Sequence, residues 1–251
     1  MPNFKDHFSR QSEDYARFRP HYPDHLFQAL GSLCADHSLA ADIGTGSGQC
    51  AVRLADFFEN VIALDPSENQ VSKAQKHPSV RYAVAPAENT GCEAASADLI
   101  TVAQALHWFE HEAFFQEAHR ILRPGGLLAA FGYGHHFVEG CQETMDQFYH
   151  NVVGPYWPPE RESIEARYED IIRPEWLIPL EPPDVAMSAS WNKKQLLGYI
   201  STWSAVQRYR DAMGHDPVKV LEESLRQCWP NADEEKTVRW PFFFVIGRKP
   251  E

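Results

Sequence analysis

The sequence predicts an α/β fold with a mostly parallel sheet and an inserted helical lobe, and three observations support this. Residues 40–132 alternate short apolar runs with stretches of helical spacing, which is typical of βαβ units. A glycine-rich turn, Gly44-Thr45-Gly46-Ser47-Gly48, joins the first apolar run to the first helical stretch. With 251 residues and 43% hydrophobic side chains, the chain is long enough to bury one sizeable core.

Five strands and their connecting helices are predicted before residue 132. The strands are Leu39–Ile43, Val61–Leu64, Val80–Val84, Asp98–Ala103 and Leu127–Phe131. Helices are expected after the glycine turn, from Ser67, and over Glu112–Leu122. Ser67 and Gln70 have the spacing of a capping box, and Pro124-Gly125-Gly126 ends the last of these helices.

Beyond Gly132 the composition shifts to aromatic residues, proline and charge. Helices are predicted near Glu139–His150 and Pro159–Glu169, then over Lys193–Tyr209 and from Asp216-Pro217. Val185–Trp191 and Thr237–Ile246 are predicted as two more strands, although Pro241 is unfavourable inside a strand because it lacks an N–H donor.

The chain is therefore predicted to be a single domain over residues 1–251. Its parts are an N-terminal helical segment (1–37), a ligand-binding core (38–132), a helical cap inserted at about 133–183, and C-terminal strands and helices (184–251).

Charge and cysteine content exclude several classes of protein. The 23 basic and 35 acidic residues give a net charge of −12, and no run of Lys or Arg is present, so neither nucleic acid nor a membrane surface is an expected partner. No apolar run approaches the roughly 20 residues of a membrane span, and the first residues lack a signal-peptide pattern. Five dispersed cysteines without a C-x-x-C motif predict no disulfide framework and a cytoplasmic location.

The glycine turn and Asp65 together predict a nucleoside site. A tight turn between a strand and a helix directs backbone N–H groups at a ligand, although an ordinary glycine loop has the same local pattern. Asp65 lies 65 − 44 = 21 residues after Gly44, close to the spacing at which an acidic side chain binds ribose hydroxyls. Gln49 stands where a dinucleotide motif needs glycine, so a ribose without a pyrophosphate is favoured over a nicotinamide cofactor.

The segment Asp42–Gly48, Asp65 and the segment Asp98–Trp108 resemble class I S-adenosylmethionine-dependent methyltransferases. The resemblance implies a Rossmann-like sheet of seven strands in the order 3-2-1-4-5-7-6, with one antiparallel strand and helices on both faces. The opening segment 8–23 is similar to the small-molecule branch that includes trans-aconitate methyltransferase-like proteins. The implied cofactor is S-adenosylmethionine.

By this resemblance, Gly44 and Gly46 would lie against the methionine half of the cofactor, and Gln104 would contact the methionine end. Asp42 would support the turn or the cofactor's amino group.

The adenosine half would be held by residues after the second and third strands. Asp65 would bind the ribose hydroxyls, and three residues would contact the adenine: Pro66, Ala87 and Glu88. Tyr15 and Arg19 would close over the cofactor from the N-terminal segment, unless they are only surface or packing residues.

Candidate residues for the methyl acceptor follow the fourth and fifth strands. His107 is the candidate base or orienting group, unless it merely packs beside Trp108. Tyr133, His135 and the adjacent His136 follow the fifth strand at the same sheet edge. Less distinctive candidates lie further along the chain: Trp157, Trp203 and Arg208. The acceptor is expected to be a small molecule with an oxygen nucleophile such as a carboxylate, which is already ionised at pH 7 and needs a cationic partner.

Two alternatives remain open from the sequence. His107-Trp108-Phe109-Glu110-His111 matches the H-x-x-E-H motif of a zinc hydrolase, which needs both histidines on one helix and a third ligand. The expected fold could also bind the cofactor without catalysis, because fold alone does not establish activity. No metal is expected in the favoured interpretation.

Overall fold

The computed structural model describes residues 18–251, so predicted Tyr15 lies outside the described residues. The strands are β1 (Leu39–Ile43), β2 (Asn60–Asp65), β3 (Val80–Val84), β4 (Ala97–Ala103), β5 (Leu122–Tyr133), β6 (Phe137–Val138), β7 (Ile178–Pro179), β8 (Met187–Trp191), β9 (Lys236–Trp240) and β10 (Phe242–Arg248). The helices are α1 (Asp24–Leu33), α2 (Gln49–Leu54), α3 (Glu68–Lys73), α4 (His111–Ile121), α5 (Gln142–Gln147), α6 (Glu162–Glu165), α7 (Lys193–Ser201), α8 (Ser204–Met213) and α9 (Pro217–Ser224).

The main sheet has seven strands in the order β3-β2-β1-β4-β5-β10-β7. Strands β1 to β5 are parallel, whereas β10 is antiparallel to both of its neighbours. The predicted Rossmann-like arrangement is thereby confirmed, and the carboxyl ends of the five parallel strands meet at one edge.

The two late strands differ from the prediction in two respects. Val185–Trp191 was expected in the main sheet, but its strand β8 belongs to a second sheet with the order β6-β9-β8. The predicted strand Thr237–Ile246 divides at Pro241, with β9 in the small sheet and β10 in the main one. Proline has no N–H to continue the ladder, so the chain changes sheet there. The edge position of the main sheet is taken by the short strand β7.

Both faces of the main sheet are covered, as a parallel sheet requires. On one face Leu99 and Leu127 pack with α1 and α2, and on the other Ile100 and Leu128 pack with α4. Neighbouring residues of one strand thus belong to different cores, which explains why the strands read as continuous apolar runs.

A third hydrophobic core lies beyond the sheet edge. It draws side chains from β6, α5 and the turns up to Trp157, and also from β8, α7, α8, α9 and β9. We call these elements, together with the turn that follows as far as Arg161, the cap. Residues from both sides of position 183 therefore share this core.

The predicted N-cap residues of two helices, α3 and α9, are confirmed. Ser67 accepts a hydrogen bond from the backbone N–H of Gln70, and Asp216 accepts one from that of Val218. The single helix predicted over Lys193–Tyr209 is instead two helices, α7 and α8. They are separated at Trp203, whose backbone is extended and whose ring is buried in the cap core.

The cysteine prediction is wrong for one pair. Cys141 and Cys228 form a disulfide with their Cα atoms 5.4 Å apart, joining the start of α5 to the residues after α9. The 87-residue separation gives no signal in the sequence, because only the fold brings the two thiols together. None of the helices within residues 18–251 has the length and apolar composition needed to cross a membrane.

Candidate active site

The glycine turn connects β1 to α2 at the carboxyl edge of the sheet. Gly44 has φ +72°, and a side chain there would place its Cβ 2.6 Å from the Cβ of Ala105. Gly46 has φ +54°, and a Cβ there would meet no atom within 4 Å. The backbone therefore packs tightly against the residues after β4 at one glycine and borders open space at the other.

Asp65 ties this turn to the next helix. Its carboxylate accepts hydrogen bonds from the backbone N–H of Gly46 and from that of Ser67, both at 2.9 Å, and the residue is only 8% exposed. The sequence predicted a ribose contact for Asp65, and this brace of the glycine turn was not foreseen. The bracing fixes the position of the Gly46 N–H.

Asp42 lies buried beneath the turn. It accepts hydrogen bonds from the hydroxyls of Thr45 at 2.6 Å and Thr101 at 2.8 Å. Burial raises the pKa of Asp42 above its usual range, while these hydrogen bonds act in the opposite direction. These contacts support the turn and tie it to strand β4.

The residues expected at the adenine lie after β2 and β3. Pro66 is half-buried, whereas Ala87 is almost fully buried in the core that contains α4. Glu88 accepts a hydrogen bond from the backbone N–H of Glu110 at 2.9 Å, just before α4 begins. The structure thus gives Glu88 a role in positioning that helix.

Gln104 follows β4 with a left-handed backbone, φ +57°. Its side-chain amide bonds both the backbone carbonyl and the backbone N–H of Tyr133, each at 3.0 Å. A Cβ at Gly132 would lie 2.6 Å from the Gln104 Oε1 and 2.8 Å from the ring of Phe243, so a side chain at position 132 would displace this amide or that ring. This amide links the ends of β4 and β5 where the sequence predicted only a cofactor contact.

A cavity of about 590 Å³, including its mouth, opens between this sheet edge and the cap. We call it the cap cavity. Its walls come from the residues after β4 and β5 and from cap residues, and they include two guanidinium groups, Arg19 and Arg161. Within residues 18–251, no aspartate or glutamate lines it.

His107 lines the cap cavity in a short 3₁₀ turn, Leu106–Trp108. Its Nδ1 lies 3.1 Å from the hydroxyl of Tyr168. Burial, followed by the positive charge of Arg161, lowers the pKa of His107 to about 3. The ring is therefore neutral at pH 7 and is a much weaker base than a free imidazole, so it suits orienting an acceptor better than acting as a base.

The other predicted acceptor residues cluster after β5. The hydroxyl of Tyr133 accepts a hydrogen bond from Arg19 Nη1 at 3.0 Å. His135 and His136 both line the cap cavity, and burial lowers both of their pKa values. The Nε2 of His135 pairs with Asp146 at 2.9 Å, and its ring stacks on Tyr149 at 4.0 Å.

Arg161 is the functional candidate that sequence reasoning missed. Its Nε and Nη2 donate to the hydroxyl of Tyr149 at 3.1 and 2.9 Å, and Nε also pairs with Glu165 at 3.0 Å. The guanidinium lies 4.6 Å from the ring centre of Trp157. No motif marks this residue, because its position depends on a turn that only the folded cap creates. Of the less distinctive candidates, Trp157 and Trp203 line the cavity, whereas Arg208 is not among its lining residues.

The zinc alternative lacks its geometry. His107 lies in the 3₁₀ turn, and His111 begins α4 with its Nε2 bonded to the carbonyl of Leu106 at 3.2 Å. The two rings have different partners, and the described part of the chain contains no group of three His, Cys, Asp or Glu side chains able to hold a metal.

The comparisons with known proteins decide the family. The model of a methyltransferase domain matches residues 41–130. A Dictyostelium discoideum protein that carries the provisional name of a methyltransferase is 34% identical over 254 residues, covering 98% of this chain and 96% of that protein. This chain belongs to the class I S-adenosylmethionine-dependent methyltransferases.

Further comparisons agree with this methyltransferase assignment. A Saccharomyces cerevisiae protein with the provisional name of an S-adenosylmethionine-dependent methyltransferase is 30% identical over 172 residues, covering 63% of this chain and 59% of that protein. A solved structure from Anaeromyxobacter dehalogenans, provisionally named a type II methyltransferase, is 41% identical. It superposes with a TM-score of 0.87, covering 93% of this chain and 100% of that one. The predictions of an enzyme and of its cofactor are confirmed at the level of the family.

Proposed function

We propose that this methyltransferase forms a methyl ester on a carboxylate of a small molecule. The observation that carries the proposal is the charge of the cap cavity. Two guanidinium groups, Arg19 and Arg161, line it, and no described acidic side chain does. A cavity of this charge at the carboxyl edge of the sheet favours an anionic acceptor.

The glycine turn fits the cofactor. The backbone at Gly46 borders open space and has no Cβ to fill it, as an approaching ligand requires. Gly44, Gly46 and Gln104 would hold the methionine half, and Asp65 would hold the ribose while fixing the turn. S-adenosylmethionine supplies, when bound, an electrophilic methyl group on a sulfonium that leaves as a neutral thioether.

Among the described residues, burial makes the ionisable groups that line the cavity weaker bases than their free counterparts or keeps them protonated. Burial lowers the pKa values of its three lining histidines, raises that of Tyr149 well above its usual range, and raises that of Tyr199 to about 12. A phenol, an alcohol or an ammonium group would need a general base. A carboxylate, with an ordinary pKa of about 4, is already a nucleophile. Its oxygen forms the new C–O bond as the C–S bond breaks, and no proton moves.

Arg161 would orient that carboxylate. Tyr149 and Glu165 hold its Nε and Nη2, so the guanidinium has a fixed direction before any ligand binds. Its Nη1 donates no hydrogen bond to any described residue, which leaves this nitrogen to donate to the methyl acceptor. Alignment of nucleophile and methyl group is the main task of the protein in such a displacement.

The test uses a methyl-labelled cofactor and a panel of small carboxylic acids, each paired with its amide and its alcohol. Label should enter only the acids, and mild alkali should release it as methanol, because esters hydrolyse whereas ethers and N-methyl groups do not. An alkali-stable product formed from a phenol, alcohol or amine would overturn the proposal.

A further inference from the structure

His136 is a buried polar ring whose nitrogens have no hydrogen-bond partner within residues 18–251. It is 1% exposed and lines the cap cavity. Neither Nδ1 nor Nε2 makes a hydrogen bond to any described residue. A neutral imidazole has one donor and one acceptor, and buried polar atoms are nearly always paired.

Packing alone does not account for a histidine at this position. The ring is surrounded by aromatic side chains, with ring centres at 5.5 Å for Tyr199, 5.6 Å for Trp203 and 6.2 Å for Trp240. A phenylalanine would satisfy these contacts without burying polar atoms. The histidine therefore indicates a ligand group that supplies the missing hydrogen bonds.

A second buried donor without a described partner also lines the cap cavity. The indole Nε1 of Trp157 is buried without a hydrogen-bond partner among residues 18–251, and Trp157 also lines the cavity. Both Trp157 and His136 contact the ring of Trp203, at 5.4 and 5.6 Å between centres. A ligand in the cavity could donate a hydroxyl hydrogen to the imidazole and accept a hydrogen bond from the indole.

We propose that His136 is a specificity-determining residue that binds a hydroxyl of the acceptor, and that the acceptor is a hydroxylated aromatic carboxylate. The inference rests on the proposed function for the carboxylate. The aromatic part follows from the side chains that line the cavity, which include Trp157, Trp203, Tyr149 and Tyr199. The carboxylate would bind Arg161, and the hydroxyl would bind His136.

The test compares benzoate with the three isomeric monohydroxybenzoates as acceptors. At least one hydroxybenzoate should exceed benzoate in kcat/KM by roughly fivefold or more in the wild type, as one added hydrogen bond predicts. In His136→Phe this ratio should fall to about one, and His136→Gln, which keeps a donor and an acceptor, should restore part of it. His150→Phe is the matched control, because His150 is an exposed cap histidine outside the cavity lining, and it should leave the ratio unchanged.

Binding to the S-adenosylhomocysteine complex supplies a readout independent of turnover. The dissociation constants of the same four acids should show the same loss of preference in His136→Phe. The variant without ligands should melt no lower than the wild type, since it loses no hydrogen bond within the described protein. A lower melting temperature, or a preference that survives His136→Phe, would show a structural histidine and overturn the inference.

The failure of each proposal has its own signature. Methylation of benzoate without any preference for a hydroxyl overturns this inference and leaves the methyl-ester proposal intact. If none of the four acids binds, the aromatic class is wrong, and the labelled panel of other carboxylic acids decides whether ester formation stands.

Discussion

Arg161 shows how one side chain can acquire a function from its immediate neighbours. A free arginine on a turn has many rotamers, but here Tyr149 and Glu165 bond two of its nitrogens and Trp157 lies against its face. The fixed guanidinium has lost its rotamer entropy before a ligand arrives. Such preorganisation increases affinity because binding no longer has to order the side chain.

We expect Arg161→Gln to raise KM for the carboxylate acceptor by about 10–100-fold, because a hydrogen bond to a charged group contributes about 1.5–3 kcal/mol. Arg226→Gln is the matched control, since that arginine is 68% exposed and pairs only with Glu223 among the described residues. Steady-state kinetics at saturating cofactor would measure both. An unchanged KM in the first variant would remove Arg161 from the acceptor site.

Asp65 has a second role besides the predicted ribose contact, because it also braces the glycine turn. Asp65→Ala removes the acceptor for the backbone N–H groups of Gly46 and Ser67. We expect the dissociation constant of S-adenosylhomocysteine to rise about 10–100-fold and the melting temperature to fall. Asp24→Ala, on an aspartate with a 72% exposed side chain, should change neither. Calorimetric titration showing unaltered affinity in Asp65→Ala would mean that this carboxylate neither binds the ribose nor shapes the turn.

At the scale of single elements, two glycines of one turn serve different purposes. Gly44 is needed for packing, and Gly46 leaves space for a ligand. In Gly44→Ala the new methyl group would collide with Ala105, 2.6 Å away, and with the ring of Phe109. In Gly46→Ala it would enter open space, so the structural cost is only the left-handed backbone, about 1 kcal/mol.

We therefore expect Gly44→Ala to lower the melting temperature more than Gly46→Ala. Gly46→Ala should still weaken S-adenosylhomocysteine binding, because its methyl group occupies the space bordering the turn. Thermal melts with and without that ligand would measure both effects. Full ligand stabilisation in Gly46→Ala would place the cofactor away from this turn.

Elements with local signals could be predicted from the sequence, and those set by distant contacts could not. The parallel strands follow from apolar runs, and the start of α3 follows from the capping residue Ser67. The break between α7 and α8 follows from burial of the Trp203 ring, which no local pattern records. The same holds for the site, where the glycine turn has a motif but Arg161 and the disulfide of Cys141 depend on the folded cap.

At the scale of the whole molecule, the cap cavity exists because the cap and the sheet edge are built from alternating parts of the chain. Strand β5 ends at Tyr133, the chain then builds the cap, and β10 returns to the sheet beside β5. Tyr168 packs in the core under the sheet while its hydroxyl contacts His107 in the cavity wall. The cap cavity is thus shared between two cores, so its histidines are buried by the fold as a whole.

This burial predicts acid sensitivity. Burial lowers the pKa of His107 to about 3 and those of His135 and His136 below the usual 6.5. Between those folded values and about pH 6.5 the unfolded chain binds more protons than the folded one, so the free energy of unfolding falls as the pH drops below about 6.5. A histidine that stays neutral when folded lowers it by about 2 kcal/mol between pH 7 and pH 5.

Urea unfolding of the wild type and of His136→Phe at both pH values isolates one of these groups, because the other titrating groups are common to the two proteins. The loss of stability from pH 7 to pH 5 should be smaller in the variant by about 2 kcal/mol. Equal losses would mean that His136 takes up a proton while the protein is folded. A protonated ring would bring a third positive charge into a cavity that already holds Arg19 and Arg161, and it would donate from both nitrogens rather than accept from a hydroxyl.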